Sequence, residues 1–252
     1  MQKPIQNQLE EIRNLEAEYQ SVLNKYEIEK LALKAKYIRE LKEIMDQRSL
    51  LIKKLSDMQN NTKFWMKVLL NSNSTKNMIN PKDLEVLKHL NNVEVLYTDT
   101  GLKNLKIIFD FEPNEYFSNT YLEKEYFFSD DNLIESINST KIQWKNGKNY
   151  FSEKVKKKIK NKKTNEIKEI EIPKNSPSFF NFFYDFDFPN KSDLKKLSVM
   201  KEKEFFEFLD EEYQLIYELK DEILPFASEY YVGVIQDNEL YADYLEKNIT
   251  EL

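Results

Sequence analysis

From Ile5 to Leu55 the chain contains neither glycine nor proline. Apolar side chains recur there at steps of three and four, at Ile5, Leu9, Ile12, Leu15, Tyr19, Val22, Tyr26, Leu33, Tyr37, Leu41, Ile44, Leu51 and Leu55, with gaps near Lys30 and Arg48. That spacing predicts one stripe along a single α-helix. Fifty helical residues span roughly 75 Å, far beyond an ordinary globular helix. Such a helix cannot bury its stripe against one compact domain. It reads as a solvated helix with local ion pairs or, better, as a dimerisation helix paired with a second copy. On that reading Leu9, Ile12, Leu15, Tyr19, Val22, Tyr26, Leu33, Tyr37, Leu41 and Ile44 form the dimer seam.

The stretch "SDMQNNTKFW" breaks the helical pattern, with Ser56, Asn60, Asn61 and Thr62 suited to caps and turns. "TKFWMKVLLNS" predicts a short helix burying Phe64 and Trp65, and "NPKDLEVLKHL" a second with Pro81 in its first turn. Strand-like runs follow. "VEVLYTD" and "LKIIFDFE" flank Gly101 as a hairpin, "LEKEYFFS" is a third strand and "TKIQWKN" a fourth. "KNYFSEKVKKKIK" and "NEIKEIEIP" read as two arms of a further hairpin, a basic one at about 150–172. Strands in series suit an antiparallel sheet. "SFFNFF", Ser178 to Phe183, reads as a core anchor, and the segment from Lys201 to Gly233 as helix, kinked or divided at Pro225.

Residue types narrow the chemistry. There is no cysteine, one histidine (His89) and only 3 glycines. Thiolate chemistry and cysteine metal sites are excluded, and glycine-rich phosphate loops have too few glycines. His89, within a predicted helix, reads as structural, with no nucleophile elbow near it. No apolar run approaches the roughly 20 residues of a membrane span. "MQKPIQNQLEEI" lacks a signal peptide's apolar stretch. We therefore expect a soluble intracellular protein with no catalytic residues, no cofactor, no metal and no membrane partner.

Charge is unevenly placed. From Asp185 onward there are 18 acidic and 7 basic residues, a balance of -11, which leaves +5 for the rest of a chain of net -6. That asymmetry predicts a basic protein partner. Its acidic helix offers Glu202, Glu204, Glu207, Asp210, Glu211, Glu212, Glu218, Asp221 and Glu222. The opposite sign is concentrated in Lys154, Lys156, Lys157, Lys158, Lys160, Lys162 and Lys163. This run reads first as a nuclear import signal, then as a solvated hairpin tip, and last as a nucleic-acid contact, because it lacks arginine. Nucleic acid is not expected as the main partner.

"IIFDFEPNEYFSN", Ile107 to Asn119, sets carboxylates among aromatic rings. Residues two apart on a strand share a face, so Asp110 and Glu112 lie opposite Phe109 and Phe111. The stretch reads as a strand with an aromatic core side, followed by a turn. Asp110, Glu112 and Glu115 become part of a candidate acidic rim.

In order, "FWMKVL", "VLKHLNNVEV", "FDFEPNEYFSN", "IQWKNGKN", the lysine hairpin, "SFFNFF" and "ILPFASEYYVG" resemble the nucleosome assembly protein family of histone chaperones over nearly the whole chain. The resemblance implies an α+β fold with a very long N-terminal dimerisation helix (1–58), then an antiparallel β-sheet domain with helices packed beneath it (59–252). It implies a homodimer, and core histones bound on an acidic concave surface through Asp110, Glu112, Glu115, Glu204, Glu207, Asp210, Glu211, Glu212, Glu218, Asp221 and Glu222. An import receptor would read the lysine hairpin, giving movement between cytoplasm and nucleus. A leucine-rich export signal would fall on Leu41, Ile44, Leu50, Leu51, Ile52 and Leu55, masked on pairing. The alternative is a dimeric acidic adaptor for other basic proteins. Family members commonly continue into a long acidic tail after "YYVG". Here only Asp237, Glu239, Asp243, Glu246 and Glu251 follow, a departure that bears on tail-dependent histone affinity and deposition.

Overall fold

The computed structural model describes residues 3–58, 63–149, 152–160, 167–175, 178–184 and 199–233. Helix α1 (Lys3–Met58) runs unbroken for 56 residues, about 84 Å at the α-helical rise. Its length follows from the absence of helix breakers, and its exposed face carries pairs such as Lys30–Glu27 at 3.1 Å and Lys42–Asp46 at 3.1 Å. Exposed pairs of this kind contribute only tenths of a kcal/mol each, ~0.3–0.5. The helix is held instead by its C-terminal half. There Ile52 is buried, Ser49 Oγ donates to Asn92 Oδ1 at 3.3 Å, and Lys34 Nζ donates to the Leu102 carbonyl at 2.6 Å.

After α1 come α2 (Phe64–Asn71), α3 (Asn73–Lys76) and α4 (Pro81–Leu87). Helix α4 starts on a capping box: Asn80 accepts from the Lys82 and Asp83 amides, and Asp83 accepts from the Asn80 amide. The helix ends at Leu87, earlier than the periodicity predicts, and β1 begins at once at Leu90 rather than Val93. His89 therefore sits at the helix–strand junction, where its carbonyl accepts from Glu112 N at 2.9 Å.

Strands β1 (Leu90–Tyr97), β2 (Leu105–Phe111), β3 (Tyr121–Phe128) and β4 (Ile134–Ser139) form an antiparallel meander in sequence order. The predicted fourth strand "TKIQWKN" is corrected here. The fourth strand is the preceding "IESINS", and Trp144 makes only an isolated bridge to Phe117. A register shift between Phe127 and Phe128 places Ile134 and Ile137 three residues apart on the buried side, which hides the two-residue alternation of an ordinary strand.

In β2, Ile107, Phe109 and Phe111 are buried and alternate with half-buried Lys106, Ile108 and Asp110. The buried face is roofed by a short 3-10 helix, Phe179–Phe183. Phe109 packs edge-on against Phe179 at 5.6 Å and Phe183 at 5.4 Å, and Phe117, Trp144 and Phe180 continue the cluster. Asp83 ties this roof to α4, accepting from Ser178 Oγ at 2.7 Å and from Phe179 N at 2.8 Å.

Strands β5 (Ser152–Lys160) and β6 (Ile167–Asn175) pair as a separate antiparallel ribbon, as the sequence predicts. Helix α5 (Val199–Tyr217), a π-helical turn (Glu218–Ile223) and α6 (Ala227–Val232) complete the described body. Pro225 falls between the last two, consistent with its missing N–H. Helix α6 returns onto α2, where Tyr231 stacks on Phe64 at 4.7 Å.

Candidate functional site

Helix α5 is amphipathic. Phe205, Leu215 and Ile216 are buried, with Leu219 and Ile223 following in the π-helical turn. Phe208 and Leu209 pack partly against the same core. The outward side carries Glu207, Asp210, Glu211, Asp221 and Glu222, all exposed, and half-buried Glu218. Two carboxylates have a local cation, Lys203–Glu207 at 3.3 Å and Lys220–Asp221 at 2.5 Å. Among the described residues no cation sits on Asp210, Glu211 or Glu222. The surface is thus a row of solvated carboxylates on a helix whose other side is fixed to a sheet. It offers dispersed negative potential to a basic partner.

The π-helical turn shapes the end of this row. Leu224 N donates to Leu219 O at 3.0 Å, an i to i+5 bond that inserts one residue into the helical path. Leu219, Ile223 and Leu224 are thereby buried together, while Asp221 and Glu222 point to water.

Glu212 does not belong to that surface. The structure corrects its assignment: it is buried, its Oε1 accepts from Lys124 Nζ at 2.5 Å, and its Oε2 accepts from Tyr126 Oη at 2.5 Å. Burial, then the adjacent Glu212 charge, pushes the Tyr126 hydroxyl well above its ordinary value. Glu212 shares the buried side of α5 with Leu215 and Ile216, so its carboxylate serves the core. The sequence carried a signal for this. Leu122, Lys124 and Tyr126 alternate on one face of β3, which places a lysine among core residues.

Asp110 is also separated from the acidic helix. It lies on the sheet face opposite Phe109, away from the 3-10 roof and α5, and its Oδ2 accepts from Asn91 Nδ2 at 2.7 Å. Lys106 on that face pairs with Glu123 at 3.2 Å and Glu125 at 3.8 Å. Glu112 is exposed just past β2. Glu115 is exposed in the following turn and pairs with Lys148, whose hydrogen bond and charge lower the Glu115 pKa. The turn itself is built by Asn114, whose side chain accepts from the Tyr116 and Phe117 amides at 2.9 and 3.1 Å. Of the eleven predicted carboxylates, Glu207, Asp210, Glu211, Glu218, Asp221 and Glu222 are brought together. The Glu204 side chain lies outside the described residues.

The dimer-seam side chains from Leu9 to Ile44 are exposed along α1. Within the predicted export segment Leu41, Ile44, Leu50 and Leu51 are exposed, whereas Ile52 is buried. In the hairpin, Lys154, Lys156, Lys157, Lys158 and Lys160 fall on β5, with their side chains outside the described residues, as are Lys162 and Lys163 altogether. Among the described residues there is no cluster of three His, Cys, Asp or Glu suited to a metal ion, and no helix is long and apolar enough to cross a membrane.

Comparison with known proteins adds an independent line. Residues 7–234 match the family described as nucleosome assembly protein (NAP). A Schizosaccharomyces pombe relative is 28% identical over 249 residues, covering 88% of this chain and 64% of that protein. Human nucleosome assembly protein 1-like 1 is 30% identical over 189 residues, covering 70% of this chain and 46% of the human protein. The chain thus spans about half to two thirds of these relatives. The crystal structure of a malaria parasite nucleosome assembly protein superposes with a TM-score of 0.66 at 23% identity, covering 93% of this chain and 99% of the other. At that identity the likeness is one of fold.

Proposed function

The chain belongs to the nucleosome assembly protein family, and from that premise we propose that it is a histone chaperone. In this reading it binds core histones, shields them from nonspecific DNA contact and assists their transport and assembly into nucleosomes. The observation that carries the reading is the exposed row Glu207, Asp210, Glu211, Asp221 and Glu222 on a helix backed by the sheet. Carboxylates held on a rigid element neutralise histone lysines and arginines without a single strong pair. Contacts of that kind govern association rate and salt sensitivity. DNA, with its denser phosphate charge, then competes for the same cations and takes the histones over. No bond is made or broken, so the proposed activity is not enzymatic.

Two further elements fit this reading. The exposed stripe of α1 supports a homodimer. The lysines of the β5–β6 hairpin support recognition by an import receptor, and with it passage between cytoplasm and nucleus.

Binding of purified core histone complexes, titrated against salt, tests the proposal. Submicromolar binding that weakens steadily with salt is the expected result. No binding at low salt overturns it. Equal affinity for an unrelated basic protein of similar charge favours the adaptor reading instead.

A further inference from the structure

Phe206 and Tyr217 lie on α5 with 52% and 56% of their surfaces exposed. Neither belongs to the core, which the helix reaches through Phe205, Leu215 and Ile216. They are 11 residues apart in the sequence. That is about 1100° of helical rotation, so the two side chains diverge by only about 20° and stand about 17 Å apart on one face. Asp210 lies between them, about 40° round from Phe206, and is exposed. Glu207, also exposed, stands at the margin of this face, about 100° round from Phe206, and pairs with Lys203 at 3.3 Å.

Single exposed apolar residues are ordinary on protein surfaces. Two aromatic rings aligned on the acidic side of one helix, with a carboxylate between them, form a composite surface. Each ring offers a large apolar area at a small entropic cost, and its face attracts cations.

We propose that Phe206 and Tyr217 are apolar anchors for a histone segment that carries apolar side chains among its lysines and arginines. The inference rests on the chaperone reading and names which part of the acidic helix supplies salt-resistant binding. Charge complementarity selects this occupant. A second copy of the same face would set Asp210 and Glu207 against carboxylates, and an anionic lipid surface would be repelled likewise. A basic segment places its cations on Asp210 and Glu207 and lays its aliphatic stems and apolar side chains on the rings. The separation of about 17 Å is matched by five residues of extended chain or three turns of helix. In this arrangement the carboxylates set the approach rate and the rings set the lifetime of the complex.

The test measures histone-complex affinity of the full chain at several salt concentrations, with native mass determined for every variant. F206A/Y217A is expected to bind about tenfold more weakly at each salt concentration, with an unchanged slope of log affinity against log salt. E207Q/D210N is expected to reduce the slope. Tyr217→Phe keeps the ring and is expected to keep the affinity. Wild-type affinity in F206A/Y217A overturns the anchor role while leaving the chaperone reading in place. Failure of the wild-type chain to bind at low salt overturns both. A changed oligomeric mass in F206A/Y217A assigns the rings to self-association and also overturns the inference.

Discussion

Lys124 Nζ and Glu212 Oε1 meet at 2.5 Å with both side chains withdrawn from water, and the bond joins β3 to α5. Tyr126 occupies the other carboxylate oxygen, and Phe182 lies 4.2 Å beneath the ammonium. Desolvation of such a pair offsets much of its attraction, yet removing one member strands the other. Lys124→Met is therefore expected to destabilise the protein by about 3–5 kcal/mol. The apolar triple variant K124M/Y126F/E212L should recover most of that loss, because no polar group is left unpaired. Glu211→Gln, one residue away on the exposed side, should stay within about 0.5 kcal/mol of the wild type. Urea unfolding midpoints at constant slope decide among these. A Lys124→Met midpoint equal to that of Glu211→Gln would remove the buried pair from the account.

His89 offers a pH test, since it is the chain's one histidine. Burial lowers its pKa below 6.5, Lys88 and Lys63 lower it further, and Glu115 and Glu85 oppose them. The unfolded chain then takes up the proton at a higher pH than the folded chain. Stability is fully present above the unfolded value and is lost as pH falls through the folded one. Imidazole NMR titration should give an inflection below 6.5. His89→Gln should flatten the acid-side loss attributable to this group. An inflection at or above the ordinary value contradicts the burial argument.

The parts of the fold written in local pattern were legible in the sequence. Helix α1 follows from its stripe and lack of breakers, and the buried side of β2 from the alternation of Ile107, Phe109 and Phe111. Strand β4 was not legible, because the irregularity at Phe127 and Phe128 turns a period of two into a spacing of three. The acidic helix was legible as a helix but not residue by residue as a surface. Glu212 and Glu211 are adjacent in sequence, and only the partners Lys124 and Tyr126, supplied from β3, decide which carboxylate turns inward. The placement of Asp110 relative to α5 was not legible for a related reason. Alternation gives opposite faces, but not which face α5 will cover. The exposure of Phe206 likewise depends on its neighbour Phe205 taking the core position.

Arg48 connects α1 to the end of the acidic row. Its Nη1 donates to the carbonyl of Leu224, and its guanidinium lies 5.7 Å from the Trp65 ring. Leu224 precedes Pro225 near the end of the helical path, so an arginine from another element satisfies this carbonyl. Arg48→Ala should leave the carbonyl unpaired and cost about 1–3 kcal/mol. Arg48→Lys should recover only part, because a point cation lacks the planar fork that stacks on Trp65. Hydrogen exchange should quicken around residues 45–58 and 219–227 before it does so in the sheet. Equal acceleration throughout would show that Arg48 acts on global stability rather than on this junction.

The α1 stripe bears on self-association. Leu15, Tyr19 and Val22 are 65%, 62% and 63% exposed on the single chain, in a stretch where α1 has few contacts with its own body. An isolated helix gains little from apolar side chains in water, and helical segments without tertiary contacts are marginal. Packing against a second copy would bury these side chains and stabilise the helix that bears them. L15E/Y19E is therefore expected to convert a two-chain species to one chain and to reduce helical circular dichroism. Glu10→Gln, on the opposite side of α1 from the stripe, should do neither. Native mass measurement and circular dichroism on the same samples separate the cases. A wild-type chain that runs as a monomer at micromolar concentration, with full helicity, would mean that α1 stands alone and that its apolar row serves another purpose.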